Sequence, residues 1–228
     1  MLAFFICSHC SSQVYPFINY SPKDGMISNR TRLIYQDRHG LLYMATYGGL
    51  SVYDGSRFTN YTSDDGLPTN SLNDIIEMGD DSVWIVPNSN AICTLVNGHL
   101  SRLQTSDGFC PVVNKMFRSS DGTYFALADE GLFRFEKNKF TRIPLIGENG
   151  GDAGGFFKSV VEQNEKFYLL TDPNIQASAG PGRLIVYDKK TKKVIICKDP
   201  TSYFLAMSPK GDIMVSTKLG IKEIDKKA

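Results

Sequence analysis

The sequence predicts an all-β chain built from a repeated four-stranded antiparallel unit. Three observations predict it. First, residues 34–58 read IYQDRHGLLYMATYGGLSVYDGSRF, where short apolar runs are broken by Asp37-Arg38-His39-Gly40, Gly48-Gly49 and Asp54-Gly55. β-Forming runs punctuated in this way fold as a meander of hairpins. Second, the unit recurs. Tyr43, Trp84, Phe125, Tyr168 and Met214 stand at intervals of 41, 41, 43 and 46, and the residue three further on is Thr46, Pro87, Ala128, Thr171 and Thr217. Third, the turn signals recur in phase. Gly49-Leu50, Gly131-Leu132 and Gly220-Ile221 mark one step, with Ala91-Ile92 and Arg183-Leu184 in its place elsewhere. Asp24-Gly25-Met26, Asp65-Gly66-Leu67 and Asp107-Gly108-Phe109 fall 41 and 42 apart. A period of roughly 40–45 residues with several strands per unit is the pattern of a β-propeller, each unit being one blade.

The elements follow in order. Residues 1–12, MLAFFICSHCSS, are apolar and then small, as at the end of a secretory signal, with Gln13 as the mature start. A lipid anchor on Cys7 or Cys10 is disfavoured by Ile6 and His9 just before them. Val14–Asn19 is expected as a strand that pairs with another blade. Blade 1 is expected over about residues 20–60, blade 2 over 61–103, blade 3 over 104–145, blade 4 over 146–200 and an incomplete blade 5 over 201–228. Blade 5 lacks its outer strand unless Val14–Asn19 supplies it. About five blades are present. They are either a small closed ring or part of a larger propeller, and the second reading is favoured.

Composition narrows the function. The chain has 228 residues, 42% of them hydrophobic, with 25 basic and 24 acidic residues and a net charge of +1. That balance offers no electrostatic footprint for nucleic acid or an anionic membrane surface. No run of 18 apolar residues is present, so no spanning helix is expected. Any membrane contact would come through a C-terminal part beyond this stretch.

Each chemically suggestive group has a plainer explanation. Asp64-Asp65-Gly66, Asp80-Asp81 and Asp121-Gly122 could be calcium ligands, but the Asp-Gly pairs fall at repeat positions where aspartate caps a turn and glycine takes positive φ. The recurring aromatics could stack on a sugar, but their mid-strand placement predicts packing between blades. His39 and His99 are expected as exposed turn residues on one rim, and His9 would leave with the signal. Of the cysteines that remain, Cys93 and Cys197 are expected to be buried and Cys110 the most exposed. Blade 4 carries two polar, glycine-rich insertions, residues 147–155 and 172–182, which could form a flap over the central opening. No phosphate-loop motif accompanies them.

The pattern Asp24-Gly25-Met26, Ile34-Tyr35-Gln36-Asp37, Gly40, Tyr43-Met44-Ala45-Thr46, Gly49-Leu50 and Tyr53-Asp54-Gly55 resembles the two-component regulator propeller repeat. The likeness is good over residues 20–103, fair over 104–145 and weak beyond. The tryptophan of that repeat stands here only as Trp84, and its strand glycine is Ala45. The resemblance implies the periplasmic sensor region of hybrid and histidine-kinase receptors of the Bacteroidota, or a stand-alone relative. It implies a non-catalytic, exported module of the periplasm or cell envelope that binds a ligand such as a glycan fragment, or acts through propeller–propeller or homodimer contact. No catalytic, cofactor-binding or metal-binding residue is assigned, no cofactor is expected, and the ligand-binding residues stay unidentified. A propeller lyase or glycosidase is the rival; it would need paired carboxylates or a histidine with a base partner, for which Asp129, Glu130, Asp152 and Asp172 are the loop acids to inspect. A docking propeller without a pocket is the third alternative.

Overall fold

The computed structural model describes residues 17–79, 81–148, 150–171, 183–198, 202–217 and 220–224. Blade 1 comprises β1 (Thr31–Gln36), β2 (Leu42–Thr46), β3 (Gly49–Tyr53) and β4 (Phe58–Tyr61). Blade 2 comprises β5 (Leu72–Glu77), β6 (Val83–Pro87), β7 (Cys93–Val96) and β8 (His99–Arg102). Blade 3 comprises β9 (Val113–Arg118), β10 (Tyr124–Ala128), β11 (Gly131–Glu136) and β12 (Lys139–Ile143). Blade 4 comprises β13 (Phe157–Gln163), β14 (Lys166–Thr171), β15 (Arg183–Asp188) and β16 (Val194–Lys198). Blade 5 comprises β17 (Ser202–Met207), β18 (Ile213–Thr217) and β19 (Gly220–Glu223). Each is an antiparallel meander in sequence order. First strands approach one another from blade to blade (β1 with β5, β5 with β9, β9 with β13, β13 with β17), so they line the inner side of the arc.

The repeat columns coincide in three dimensions. Tyr43, Trp84, Phe125, Tyr168 and Met214 all lie in the second strand of their sheets. The first four face the following blade. The Trp84 ring meets Phe135 of blade 3 edge-on at 4.9 Å, and Phe125 meets Phe167 of blade 4 at 4.8 Å. The next residue along faces backwards. Ile85 joins the core shared with blade 1, Ala126 that shared with blade 2, Leu169 that shared with blade 3 and Val215 that shared with blade 4. Alternation along a strand thus sends successive side chains into two different cores. Each fully buried aromatic or aliphatic chain in these cores contributes about 1.5–3 kcal/mol.

Every first strand carries a bulge at the same register. Arg32, Asn73, Asn114, Lys158 and Tyr203 have no residue opposite them in the ladder. Such a bulge bends the strand where the blades converge. The bulged Asn73 uses the bend, donating from Nδ2 to the Val113 carbonyl of blade 3 at 2.9 Å.

The Asp-Gly leads behave as expected. Ser21 and Thr62 each cap a single 3-10 turn, Asp24 and Asp65 complete the capping boxes, and Gly25 and Gly66 follow at φ 100° and 107°. Their carboxylates accept backbone N–H groups.

One expected strand, Val14–Asn19, is not seen among the described residues. Residues 17–20 pair with no strand, and residues 14–16 lie outside the described residues. An extended segment needs a neighbour to satisfy its N–H and C=O groups, and among the described residues no strand pairs with this one. Among the described residues the two end faces of the arc are likewise bare. Ile34 of blade 1 is 62% exposed, whereas its equivalents Ile75, Met116 and Leu205 are 3%, 3% and 2% exposed. At the other end Ile221 is 72% exposed, whereas its equivalents Leu50 and Leu132 are fully buried. The five sheets are therefore part of a propeller and not a closed ring.

Gly49 must be glycine for two reasons. Its φ of 129° is left-handed, and a Cβ there would overlap the Tyr61 carbonyl oxygen of the neighbouring strand. Gly49→Ala is expected to destabilise the chain by about 1–3 kcal/mol, read as a lowered denaturant midpoint. Gly55→Ala, with the same sign of φ but open space around it, is expected to cost less.

Candidate functional site

A cleft opens at the same place between each of the first three pairs of neighbouring blades, at the end where the first and second strands turn. Its floor is the repeat aromatic. Between blades 1 and 2 it is about 270 Å³ over Tyr43, and between blades 2 and 3 about 350 Å³ over Trp84. Between blades 3 and 4 it widens to about 760 Å³ over Phe125, which is within the range of small-molecule sites.

A single local difference explains the widening. β7–β8 and β11–β12 are joined by two residues each, Asn97-Gly98 and Lys137-Asn138, all at positive φ. β15–β16 is joined by five, residues 189–193, reading KKTKK. Asp188 shapes this longer turn by accepting the N–H groups of Lys190 and Thr191 at 2.9 and 2.8 Å. The turn delivers Lys189, Lys190 and Lys192 to the cleft.

Lys189 is turned inward and is nearly buried. Its Nζ donates to Glu162 Oε1 at 2.6 Å and Ser119 Oγ at 2.9 Å, and it lies 3.4 Å from both Asp121 and Glu165. Glu162 also accepts the Ser120 N–H and the Ser119 and Ser120 hydroxyls at 2.9, 2.9 and 2.7 Å. Burial alone would raise the Glu162 carboxyl, but the Lys189 and Ser120 hydrogen bonds outweigh it and hold it below the ordinary glutamate value. Burial likewise opposes the charge on Lys189, and its bonds to Glu162 overcome that.

Asp121, Glu165 and Lys189 share the lining of the cleft with other groups. Phe125, Ile143, Pro144 and Tyr187 give apolar walls. Arg134, cross-strand from Phe125, contributes a half-exposed guanidinium, held at 2.9 Å by Glu136. The Lys192 ammonium lies 5.8 Å from the Tyr187 ring centroid. A ring-sized hollow with aromatic walls and a rim of cationic and hydroxyl donors can hold a polar ring compound.

The acids singled out in the sequence lie elsewhere. Asp129, Glu130 and Asp152 are at the opposite end of blade 3, near the β10–β11 step. Asp129 accepts from Asn114 at 2.9 Å. Asp152 accepts from Arg142 at 2.6 Å and from the Gly154 N–H at 2.9 Å. Its burial opposes ionisation, and the Gly154 and Arg142 bonds still hold the carboxyl low, which unsuits it as a general acid. Asp172 lies outside the described residues, as does the second insertion, 172–182.

The described residues of the first insertion bond to one another and to blade 3, while the second insertion, the other half of the expected flap, lies outside the described residues. Ile146 bridges to Asp152, the Gly150 N–H donates to the Gly147 carbonyl, and Ala153, buried in the core shared with blade 3, donates its N–H to the Leu145 carbonyl at 2.7 Å. The Asp152 carboxylate, reaching the Leu145 and Gly154 N–H groups, closes the loop.

His39 and His99 are exposed turn-end residues, as their positions predict. His39 does come within 4.8 Å of Glu77 and Asp81, a grouping the sequence did not signal. Both carboxylates are taken by Arg38, whose guanidinium contacts Glu77 and lies 2.8 Å from Asp81, so a cation would have to displace it. Cys93 is buried and Cys197 half-buried. Cys110, expected to be the most accessible, is also half-buried, and burial pushes its thiol up to about 11.

No protein-family model matches the chain, and no curated sequence matches it. Solved structures do. The extracellular domain of a hybrid two component system from B. thetaiotaomicron aligns at TM-score 0.65 and 17% identity, over 84% of this chain and 27% of that one. PorZ, a surface component of the type-IX secretion system of Porphyromonas gingivalis, aligns at TM-score 0.61 and 13% identity, over 86% of this chain and 32% of that one. The extracellular domain of a one component system from B. thetaiotaomicron aligns at 0.52 and 16%, over 86% and 32%. The chain is an arc of a β-propeller. It spans about a quarter to a third of the length of these structures, 27–32%. Among the described residues no helix is long and apolar enough to cross a membrane.

Glu162→Gln is expected to destabilise the arc by about 1–3 kcal/mol at neutral pH, since Lys189 and the blade 3 turn lose a charged acceptor. The folded carboxyl titrates below its unfolded value of about 4.3, so the difference is full above that value. It should shrink as pH falls through the folded pKa, read by chemical denaturation of both proteins from pH 7 to pH 3.

Proposed function

We propose that this chain is part of the ligand-binding propeller of an exported sensor in a two-component regulatory receptor, with a saccharide fragment as ligand. The observation that carries the reading is the cleft between blades 3 and 4, where the acids beside Lys189 are held by that lysine and aromatic walls and rim donors remain to receive a ring. On this reading the site holds its ligand and leaves it unchanged. Placement of the ligand across two sheets gives it leverage, because a ligand shifts signalling only by preferring one arrangement of its receptor over another. The likeness of the arc to extracellular domains of two component and one component systems supports the sensory role, and the repeat motifs of blades 1 and 2 support it independently.

Titration of the chain with neutral and acidic oligosaccharides tests this. A ligand at 100 times its Kd is expected to stabilise the fold by about 2.7 kcal/mol and to be recovered chemically unchanged. Arg134→Ala and Lys192→Ala are each expected to weaken binding roughly ten- to a hundredfold while leaving the unliganded midpoint within about 0.5 kcal/mol. Binding that ignores both substitutions would place the site elsewhere, and cleavage of the saccharide would make the chain an enzyme.

A further inference from the structure

We infer that the ligand of the cleft between blades 3 and 4 is an acidic saccharide, its carboxylate or sulfate held by the Lys190 and Lys192 ammoniums. The inference rests on the saccharide-binding reading above and adds to it the charge of the ligand.

Charge in the cleft is unevenly matched. Among the described residues five cationic and two acidic side chains line it. Three of the cations already have acids of their own. Lys189 lies 2.6 Å from Glu162 and 3.4 Å from both Asp121 and Glu165, Arg142 lies 2.6 Å from Asp152, and Arg134 lies 2.9 Å from Glu136. No carboxylate among the described residues pairs with Lys190 or Lys192. The acids of the cleft therefore share a cation, and these two cations share no acid.

The turn that carries them is crowded with like charge. Residues 189–193 read KKTKK, four ammoniums in one connection between β15 and β16. Asp188 stands at its foot, but its carboxylate is spent on the Lys190 and Thr191 N–H groups. Crowded ammoniums repel one another, and an anion seated among them relieves the repulsion. Lys192 also takes a φ of 62°, left-handed backbone that a residue with a Cβ adopts at a cost, and its ammonium comes to 5.8 Å from the Tyr187 ring centroid.

A sugar acid matches each part of this lining. Its ring meets the apolar walls, its hydroxyls donate to the Asp121 and Glu165 oxygens, and its anionic group meets Lys190 and Lys192. A neutral sugar would leave the two ammoniums unmatched, and a cationic one would add to their repulsion.

Calorimetry on the full chain tests this with three sets of probes. They are uronate di- and trisaccharides, the same set with every carboxyl reduced to a primary alcohol, and the reduced set carrying sulfate esters. At low salt a charged set is expected to bind at least about tenfold more tightly than the neutral one, with the preference shrinking as salt is raised. Preference for one charged set alone identifies the anionic group as carboxylate or sulfate. The double variant Lys190→Gln, Lys192→Gln is expected to bind charged and neutral probes alike. Lys193→Gln, the same loss of charge outside the cleft lining, is expected to keep the preference. Equal binding of charged and neutral probes by the unsubstituted chain, or a preference lost as fully in Lys193→Gln, overturns the inference and leaves the saccharide reading standing. Binding of none of the three sets overturns both.

Discussion

Face-to-face packing of successive sheets is the constraint on which the arc depends. Each sheet is apolar on both faces, because alternate residues of its strands enter two different cores. Tyr43 and Ile85 share one core, Trp84 and Ala126 the next, and Phe125 and Leu169 the third. No blade can bury its own side chains alone, so stability is a property of neighbours. The same constraint explains why the two end faces remain apolar. Ile34 and Ile221 obey the repeat although nothing in the described structure covers them.

Polar latches supplement this packing, and they sit on alternate blades. Glu77 of blade 2 and Glu162 of blade 4 each accept the second N–H of the preceding blade's first turn, from Arg38 at 3.2 Å and Ser120 at 2.9 Å. Asp74 and Ser159, at one repeat position on the same two blades, accept the N–H of the following blade's first strand, from Met116 at 2.8 Å and Leu205 at 3.1 Å. Blade 3 has Lys115 and Arg118 at those positions and makes neither bond. Burial pushes the Asp74 carboxyl up, although the Lys115 charge and the Met116 N–H pull the other way. These bonds add specificity of register to a hydrophobic contact that is itself indifferent to small slips.

The candidate site is a by-product of the same geometry. Three equivalent clefts exist because three pairs of sheets diverge outward over an aromatic floor. Only one becomes roomy, because the β15–β16 connection is longer than its counterparts and carries lysines. Lys189 secures the junction, while Lys190, Lys192 and Arg134 are left at the rim. Function, on this reading, enters by variation of one turn on an otherwise repeated scaffold.

The repeat arithmetic was sufficient for the architecture. Residue type and spacing alone placed Tyr43, Trp84 and Phe125 in one buried column, put glycine at the Gly49 and Gly131 step and made Asp24 and Asp65 turn caps, because these are short-range preferences renewed about every 41 residues. Contacts between blades were not legible, since no local preference links Glu162 to Ser120 or Lys189 to Ser119, and the lysine-rich turn reads as ordinary surface until the neighbouring sheet is beside it. The described end of the segment expected as a strand over Val14–Asn19, and the course of the insertion at 147–155, were not legible for one reason. A strand exists only where a partner edge accepts its backbone, and a loop stays open only where nothing nearby satisfies its polar groups; both conditions are set by what tertiary packing brings alongside.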